Sequence, residues 1–146
     1  MKIISILGST GSIGCNALSV IRLHPDKFKI FALSCYVNED LLFNQTLEFS
    51  PEYVVTRDEV SQKRLKKLLK EKNQKTEVLF GSKGYKFIAG HEKVSTVMAA
   101  ITGAAGLLST MEAAKKGKNI LLANKESMVM AGKLLSEVCL KNNGFI

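Results

Sequence analysis

A glycine-rich segment directly follows the first apolar run of the chain, and its residue types suit a phosphate-binding turn. Gly8, Gly11 and Gly14 recur at every third position, after an apolar run over residues 2–7. In dinucleotide-binding folds the first glycine permits a tight turn, the second lets the backbone approach a pyrophosphate, and the third lets the helix pack closely against the strand. Backbone N–H groups and the positive end of the helix dipole then face the anion. Three hydroxyls are predicted to add donors at the same place, those of Ser9, Thr10 and Ser12.

Two glycine-containing loops leave a structural alternative open. The first segment has the spacing G-x-x-G-x-x-G rather than G-x-G-x-x-G, so an ordinary turn is the alternative, but its position between a strand and a helix favours the phosphate turn. The second loop, Thr-Gly-Ala-Ala-Gly at 102–106, consists of small residues. These either let a flat ligand lie against the backbone or make an ordinary strand-to-helix turn.

The residues after the second predicted strand bear on the choice of cofactor. Positions 34–38 contain no carboxylate to hold the ribose 2′-hydroxyl of NAD, and the first acids, Glu39 and Asp40, come inside the next helix. The missing carboxylate favours NADP, although no arginine or lysine stands in 34–38 either. Asn38 either contacts a cofactor or only caps the helix that begins there.

A polar trio follows a later apolar strand, where ligands of open α/β sheets bind. Asn124, Lys125 and Glu126 come directly after the run at 119–123. They suit the orientation of a cofactor and the capture of a phosphate. In the alternative, Asn124 caps a helix and Glu126 interacts with the helix dipole, but this leaves Lys125 at an unfavourable end of the dipole. We therefore favour a functional role for the trio.

The remaining polar side chains form no catalytic or metal-binding pattern. His24 stands at a predicted helix end, and His91 lies in a polar loop. The cysteines, Cys15, Cys35 and Cys139, are widely spaced without a CxxC pair, which predicts reduced, buried thiols. No apolar run approaches the ~20 residues that span a bilayer, and the first residues do not resemble a signal peptide, so we expect a cytoplasmic chain without a membrane partner.

A cluster of basic residues between positions 57 and 75 contributes much of the net charge of +8. Apolar residues recur within it at helical spacing, namely Val60, Leu65, Leu68 and Leu69. The bases are therefore predicted to cover the outer face of one helix. A solvated face is the favoured interpretation, and a docking surface for nucleic acid or another polyanion is the alternative. Because no aromatic residues alternate with these lysines, nucleic acid is not an expected partner.

Apolar runs that alternate with amphipathic segments must position these side chains. Strands are predicted at 2–7, 29–34, 53–55, 78–80, 94–101, 119–123 and 145–146. Helices are predicted at 12–23, 38–49, 59–72, 107–116 and 125–141, with a weak helix favoured for the ambiguous segment 83–90. This alternation predicts an α/β fold, a doubly wound and mostly parallel sheet of the Rossmann type, formed by one domain over residues 1–146. The continuous apolar run at 120–123 predicts a strand buried on both faces. Because the last predicted strand has two residues, we expect the chain to be the front part of a longer protein.

Several segments together resemble the 1-deoxy-D-xylulose 5-phosphate reductoisomerase family. They are the glycine segment at 8–14, the loop at 103–106 and the string Leu-Leu-Ala-Asn-Lys-Glu-Ser at 121–127, and residues 47–51 are also similar. The resemblance runs from the first residue to the last and covers the family's N-terminal NADPH-binding domain. It implies that the catalytic and C-terminal domains, with the Asp-Ser-Glu segment that binds a divalent metal (Mn or Mg), are absent from this chain.

The resemblance implies an activity and a set of site residues. The family rearranges 1-deoxy-D-xylulose 5-phosphate and reduces the product with NADPH to 2-C-methyl-D-erythritol 4-phosphate in isoprenoid biosynthesis. By position, NADPH would bind at Thr10, Gly11, Ser12, Ile13, Asn38, Asn124 and Glu126, and the sugar phosphate at Lys125. The resemblance also implies a homodimer. No catalytic residue or metal ligand is expected in this chain, so the 146 residues alone are predicted to be inactive.

The chain departs from the family pattern in the segment after the second predicted strand. The family usually has Gly-Lys-Asn after the second strand, with the lysine near the 2′-phosphate, whereas this chain has Tyr36, Val37 and Asn38. We therefore expect a weaker preference for NADPH over NADH.

Two other functions remain as alternatives. One is another NADP-dependent aldehyde or semialdehyde reductase, which would be favoured if a longer chain lacked the Asp-Ser-Glu segment. A non-catalytic nucleotide- or polyanion-binding module is the other, favoured by salt-dependent nucleic-acid binding without NADPH binding.

Overall fold

Strand-forming and helix-forming segments alternate along the whole chain. The computed structural model describes residues 1–103, 105–123 and 125–146. The strands are β1 (Lys2–Leu7), β2 (Phe28–Ser34), β3 (Tyr53–Thr56), β4 (Glu77–Phe80), β5 (Thr96–Ala99) and β6 (Asn119–Leu122). The helices are α1 (Ser12–Leu23), α2 (Glu39–Phe49), α3 (Glu59–Glu71), α4 (Gly81–Gly90), α5 (Ala105–Lys115) and α6 (Lys125–Lys141).

The strands form one sheet in the order β4-β3-β2-β1-β5-β6. Every neighbouring pair is parallel, so the doubly wound α/β prediction is confirmed. The chain first winds outward from β1 to β4 and then returns, through α4, to place β5 on the other side of β1. The strand order therefore reverses between β1 and β5, and the loops at their carboxyl ends diverge around a crevice.

Alternating side chains of the central strands divide the core into two layers. Ile6 of β1 packs with Leu18 and Leu65 on the face that α1, α2 and α3 cover. Its neighbour Leu7 belongs to the other layer, with Ile88 of α4 and the adjoining helices. Because successive residues of a strand point to opposite faces, two apolar neighbours in β1 are enough to anchor both layers.

Helix α4 is a full ten-residue helix, although its sequence predicted only a weak one. Gly81, Gly84 and Gly90 lower its helix propensity. The packing explains the glycine at position 84, since a Cβ there would lie 2.8 Å from the Cγ1 atom of Val55 in β3, and Gly81 has a φ of +70°. Tertiary contact of α4 with the sheet therefore outweighs the weak local preference.

Two predictions about burial were wrong. The strand at 120–123 is not covered on both faces, because β6 is at the sheet edge and Leu121 is 48% exposed. In α3, Leu65 and Leu69 are buried, but Val60 is 67% exposed and Leu68 also faces solvent. The apolar stripe of the basic helix is thus narrower than its sequence suggested.

The C-terminal part of the chain differs in two details from a regular strand and helix. The predicted strand at 145–146 is a single parallel bridge between Asn119 and Phe145. Helix α6 contains a kink at Ala131, whose φ of −148° and ψ of 24° are not helical. None of the described helices has both the length and the apolar character needed to cross a membrane.

Candidate functional site

A cleft of about 820 Å³ opens at the carboxyl edge of the sheet. It lies where the strand order reverses between β1 and β5, the position at which open α/β sheets bind ligands. The described residues lining it are Gly8, Thr10, Gly11, Cys35, Tyr36, Val37, Asn38, Arg57, Gly81, Ser82, Tyr85, Lys86, Ala100, Ile101, Thr102, Leu108 and Ser109. Arg57 and Lys86 are cations and none of these residues is a carboxylate, so this lining favours an anionic ligand.

Glycine occupies each of the three positions after β1 for a different reason. Gly8 has a φ of +87°, and a Cβ there would lie 2.7 Å from the carbonyl oxygen of Ala100. A Cβ at Gly14 would collide with the carbonyl oxygen of Gly8, so the start of α1 packs directly on the loop. A Cβ at Gly11 would meet only the Gly8 oxygen, at 3.8 Å. The fold therefore requires glycine at 8 and 14, whereas the space beside Gly11 is open, as a backbone cradle for a pyrophosphate requires.

The N-terminus of α1 is open to an anion. Gly11 is its N-cap residue, so no side chain caps the helix, and no acidic residue stands in the first turn. In contrast, Asn38 caps α2 and Asp58 caps α3. Thr10 and Gly11 line the cleft, and Ser12 and Ile13 lie exposed at the beginning of α1. The first-turn N–H groups and the dipole of α1 thus remain available next to the cleft.

Ser9 holds the loop in place, and its prediction as a ligand donor was wrong. Its side chain is fully buried, and its hydroxyl donates to the Oε1 atom of Gln45 at 2.7 Å. The Nε2 atom of Gln45 in turn donates to the carbonyl oxygen of Ser9 at 2.9 Å. The hydroxyl also lies 3.2 Å from the Ser34 carbonyl oxygen. Sequence reasoning missed Gln45, because nothing in the α2 sequence indicates that a buried glutamine reaches the β1–α1 loop.

Asn38 satisfies the capping interpretation and also lies at the cleft. Its Oδ1 atom accepts a hydrogen bond from the backbone N–H of Leu41 at 3.1 Å, which confirms the cap. The same residue lines the cleft beside Tyr36 and Val37, whose side chains are 56% and 72% exposed. The cap uses the side-chain oxygen and does not use the amide nitrogen. The two interpretations are therefore compatible.

Arg57 lies at the cleft, although its sequence position assigned it to the outer face of the basic helix. It precedes α3 and follows β3 directly, so it stands at the carboxyl edge of the sheet. Its Nε atom donates to Asp58 at 3.2 Å, and its guanidinium carbon lies 5.4 Å from the centroid of the Tyr36 ring. The available sequence signal was the position after β3, because a parallel sheet places the residues after neighbouring strands close together.

Two polar groups at the base of the cleft are uncharged at neutral pH. Burial, and secondarily Glu39, raises the pKa of the Cys35 thiol to about 12. Burial also raises the pKa of the Tyr85 hydroxyl well above its ordinary value. That hydroxyl donates to the carbonyl oxygen of Cys35 at 2.7 Å and thereby ties α4 to the segment after β2. These groups therefore shape the cleft through hydrogen bonds, and the charge comes from Arg57 and Lys86.

Of the predicted site residues after β6, Lys125 and Glu126 lie at the same edge of the sheet but not in the described lining of the cleft. Lys125 is exposed and begins α6, and Glu126 is partly buried in its first turn. Asn124 lies outside the described residues. In the loop after β5, Gly103 has a φ of +75° and α5 begins at Ala105, so part of the predicted loop is helical. Ala104 is also outside the described residues.

The histidines and cysteines lie in surroundings that are typical of residues with a structural role. His24 is the C-cap residue of α1, as predicted. His91 is not in a purely polar environment, because its ring lies 4.5 Å from that of Phe31 and 5.1 Å from that of Phe87. All three cysteines are free, but only Cys35 and Cys139 are buried, while Cys15 is partly exposed. Within the described parts of the chain, no group of three or more His, Cys, Asp and Glu side chains could hold a metal ion.

Comparison with protein families gives one match that covers most of the chain. Residues 4–132 match the model of 1-deoxy-D-xylulose 5-phosphate reductoisomerase. A curated relative of that name from Saccharophagus degradans is 50% identical over 137 residues, which are 94% of this chain and 35% of the relative. Another from Photorhabdus laumondii subsp. laumondii is 47% identical over 143 residues, 98% of this chain and 36% of the relative. The chain thus spans about a third of the length of these curated relatives.

Solved structures agree with this match. A crystal structure described as DOX-P reductoisomerase in complex with NADPH, fosmidomycin and magnesium superposes with a TM-score of 0.95 at 42% identity, over 99% of this chain and 35% of that one. The 1-deoxy-D-xylulose 5-phosphate reductoisomerase from Zymomonas mobilis in complex with NADPH superposes with a TM-score of 0.92 at 31% identity, over 99% of this chain and 37% of that one.

Proposed function

The chain belongs to the 1-deoxy-D-xylulose 5-phosphate reductoisomerase family, and we propose that residues 1–146 form the NADPH-binding domain of such an enzyme. The whole enzyme rearranges 1-deoxy-D-xylulose 5-phosphate and reduces the product to 2-C-methyl-D-erythritol 4-phosphate. NADPH, when bound, supplies the hydride for that reduction. The role of this chain is to bind and orient the cofactor.

The open anion site between β1 and α1 carries this proposal. Three properties support the fit to a pyrophosphate: room for backbone approach at Gly11, an uncapped positive helix end, and a cationic cleft beside it. The cleft of about 820 Å³ has room for part of a dinucleotide and extends toward the segment after β2, where dinucleotide-binding folds place the ribose of the adenosine half.

We assign the cofactor and substrate contacts to three segments of the chain. We assign the pyrophosphate to the segment from Thr10 to Ile13, through the backbone N–H groups and the hydroxyls of Thr10 and Ser12. Asn38 contacts the adenosine side from the cleft wall. Carried over from the family by position, Asn124 and Glu126 also contact NADPH, and Lys125 contacts the sugar phosphate substrate.

Three further proposals concern the metal, the compartment and the assembly of the enzyme. The described residues do not fit a divalent metal, since they contain no cluster of ligating side chains, so we assign no Mn or Mg ligand among them. We propose that the enzyme works in the cytoplasm and as a homodimer. Sedimentation of the complete enzyme at several concentrations tests the dimer, which a single monomeric species at all concentrations would contradict.

Calorimetric titration of the chain with NADPH tests the proposed function. We expect one cofactor to bind per chain, and a duplex oligonucleotide in the same buffer to give no comparable heat. Strong salt-dependent binding of the oligonucleotide without any binding of NADPH would instead support a polyanion-binding module built on the basic helix α3. The two titrations should share one stated ionic strength, because salt weakens both interactions to different extents.

A further inference from the structure

We infer that Arg57 supplies the cation that selects NADPH over NADH, a role that the lysine missing after β2 leaves open. This inference rests on the proposed function of the cleft as an NADPH site. It concerns a residue on a different strand from the one where such a cation is expected, and it opposes the weaker NADPH preference that residues 36–38 suggest.

The 2′-phosphate of NADPH is expected beside the segment after β2. In dinucleotide-binding sheets the group after the second strand decides between a ribose hydroxyl and a 2′-phosphate. Here that segment contains Tyr36, Val37 and Asn38, all of which line the cleft and none of which is a lysine, an arginine or a carboxylate. Charge selection at this place must therefore come from a neighbouring element.

Arg57 lies beside the segment after β2. It follows β3, which pairs with β2 in parallel register, Ser34 lying opposite Val55. The Arg57 guanidinium is 5.4 Å from the centroid of the Tyr36 ring, so it lies over the same segment that would contact the ribose. Its positive charge also acts electrostatically on Cys35 and Tyr85 at the base of the cleft.

The Arg57 guanidinium still has N–H donors available to a ligand. Asp58 accepts a hydrogen bond from the Nε atom at 3.2 Å, and the Tyr36 ring lies within cation–π distance of the guanidinium carbon, 5.4 Å from the ring centroid. Within the described part of the chain, the two Nη atoms have no hydrogen-bond partner, and the side chain remains 45% exposed. A planar fork of N–H donors that neighbours already orient suits a phosphate better than a flexible ammonium does.

Lys86 is the rival cation of the same cleft. It lies on α4, and within the described residues it has no ion pair. Among the described residues, no hydrogen bond or ion pair joins Lys86 to the segment after β2, whereas Arg57 contacts Tyr36 directly. Neutralising Arg57 and neutralising Lys86 are therefore expected to give different results.

The experiment measures Kd for NADPH and for NADH by calorimetry at one low ionic strength. The proteins are the wild type, the neutralised variants Arg57→Gln, Lys86→Gln and Lys67→Gln, and the charge-retaining variant Arg57→Lys. Arg57→Gln should weaken NADPH binding about tenfold or more and change NADH binding by less than about twofold, because a charge-assisted contact to the phosphate is lost. Lys67→Gln, on an exposed position of α3 outside the cleft, is the charge-matched control and should leave the ratio of the two Kd values unchanged. Arg57→Lys should retain part of the preference.

Three outcomes overturn the inference while leaving the proposed function intact. They are an unchanged ratio in Arg57→Gln, an equal loss for both cofactors, and a larger selective loss in Lys86→Gln. Absence of NADPH binding in the wild type would overturn the proposed function itself. Thermal unfolding of each variant provides the folding control, and because Arg57 is at the surface we expect no change in Tm.

Discussion

Neighbouring residues of the β1–α1 loop have opposite tasks. The hydroxyl of Ser9 points into the protein and is used by Gln45, while Thr10 lines the cleft. Gly14 is needed so that α1 packs on the loop, whereas Gly11 leaves space that the protein itself does not use. The sequence motif identifies the loop, but it does not distinguish residues that build the loop from residues that face a ligand.

A lysine at position 37 should strengthen the preference for NADPH. Val37 is 72% exposed at the cleft and contributes no charge. A hydrogen bond to a charged group contributes about 1.5–3 kcal/mol, and exposure places this one at the lower end, so Val37→Lys should tighten NADPH binding about tenfold.

Calorimetric titration of both cofactors checks this prediction. NADH binding should change much less, because NADH lacks the 2′-phosphate. Introduced together with Arg57→Gln, the lysine should restore part of the lost preference. An equal gain for NADPH and NADH would indicate a general charge effect and would place the 2′-phosphate elsewhere.

At the scale of elements, helix α2 holds the phosphate loop through one buried side chain. Replacing Gln45 by leucine removes two hydrogen bonds to Ser9, including the one that its side-chain amide donates to the Ser9 carbonyl oxygen. We expect Gln45→Leu to lower the free energy of unfolding by about 1–3 kcal/mol and to weaken NADPH binding several-fold. Chemical denaturation and calorimetry measure the two effects.

Gln62→Leu is the matched control for this variant. Gln62 donates to the carbonyl oxygen of Val78 at 2.8 Å, away from the cleft. Its loss should destabilise the fold without weakening NADPH binding. If the two variants reduced affinity equally, loss of stability and not loop position would explain the effect of Gln45.

The sequence predicted the elements better than their surroundings. Residues 2–7, 12–23 and 125–141 became β1, α1 and α6 with the predicted bounds, because clear apolar periods and glycine signals mark their ends. The α4 helix was ambiguous, since Gly84 inside it reflects close packing against β3 rather than a break in the helix. The exposure of Leu121 could not be predicted either, because only the strand order makes β6 an edge strand.

At the scale of the molecule, strand order decides which residues share a cleft. The glycine segment and Asn38 could be assigned from local sequence, since each follows a strand with a recognisable pattern. Arg57, Tyr85 and Lys86 could not, because they reach the cleft only when β3 and the returning helix α4 take their places beside β2. The sequence contains these residues, but their proximity is a property of the whole sheet.

The 146-residue chain alone should bind NADPH without turning over substrate. It spans about a third of the length of curated relatives named reductoisomerases. We therefore expect no consumption of NADPH, followed by absorbance, when the purified chain is mixed with 1-deoxy-D-xylulose 5-phosphate and magnesium or manganese. Sustained substrate-dependent oxidation of NADPH would show that residues 1–146 hold catalytic groups that we have not assigned.

The most direct test of the account is the binding of NADPH to the Gly11→Val variant. Gly11 has a φ of −75° and a ψ of 172°, an extended conformation that valine readily adopts, and the nearest atom to its Cβ is 3.8 Å away. The variant should therefore fold with an unchanged Tm. Its side chain would occupy the space in which the backbone approaches the pyrophosphate, so calorimetry should detect NADPH binding to the wild type and none to the variant. Equal affinity for NADPH in the two folded proteins would contradict the assignment of the β1–α1 loop as the phosphate site.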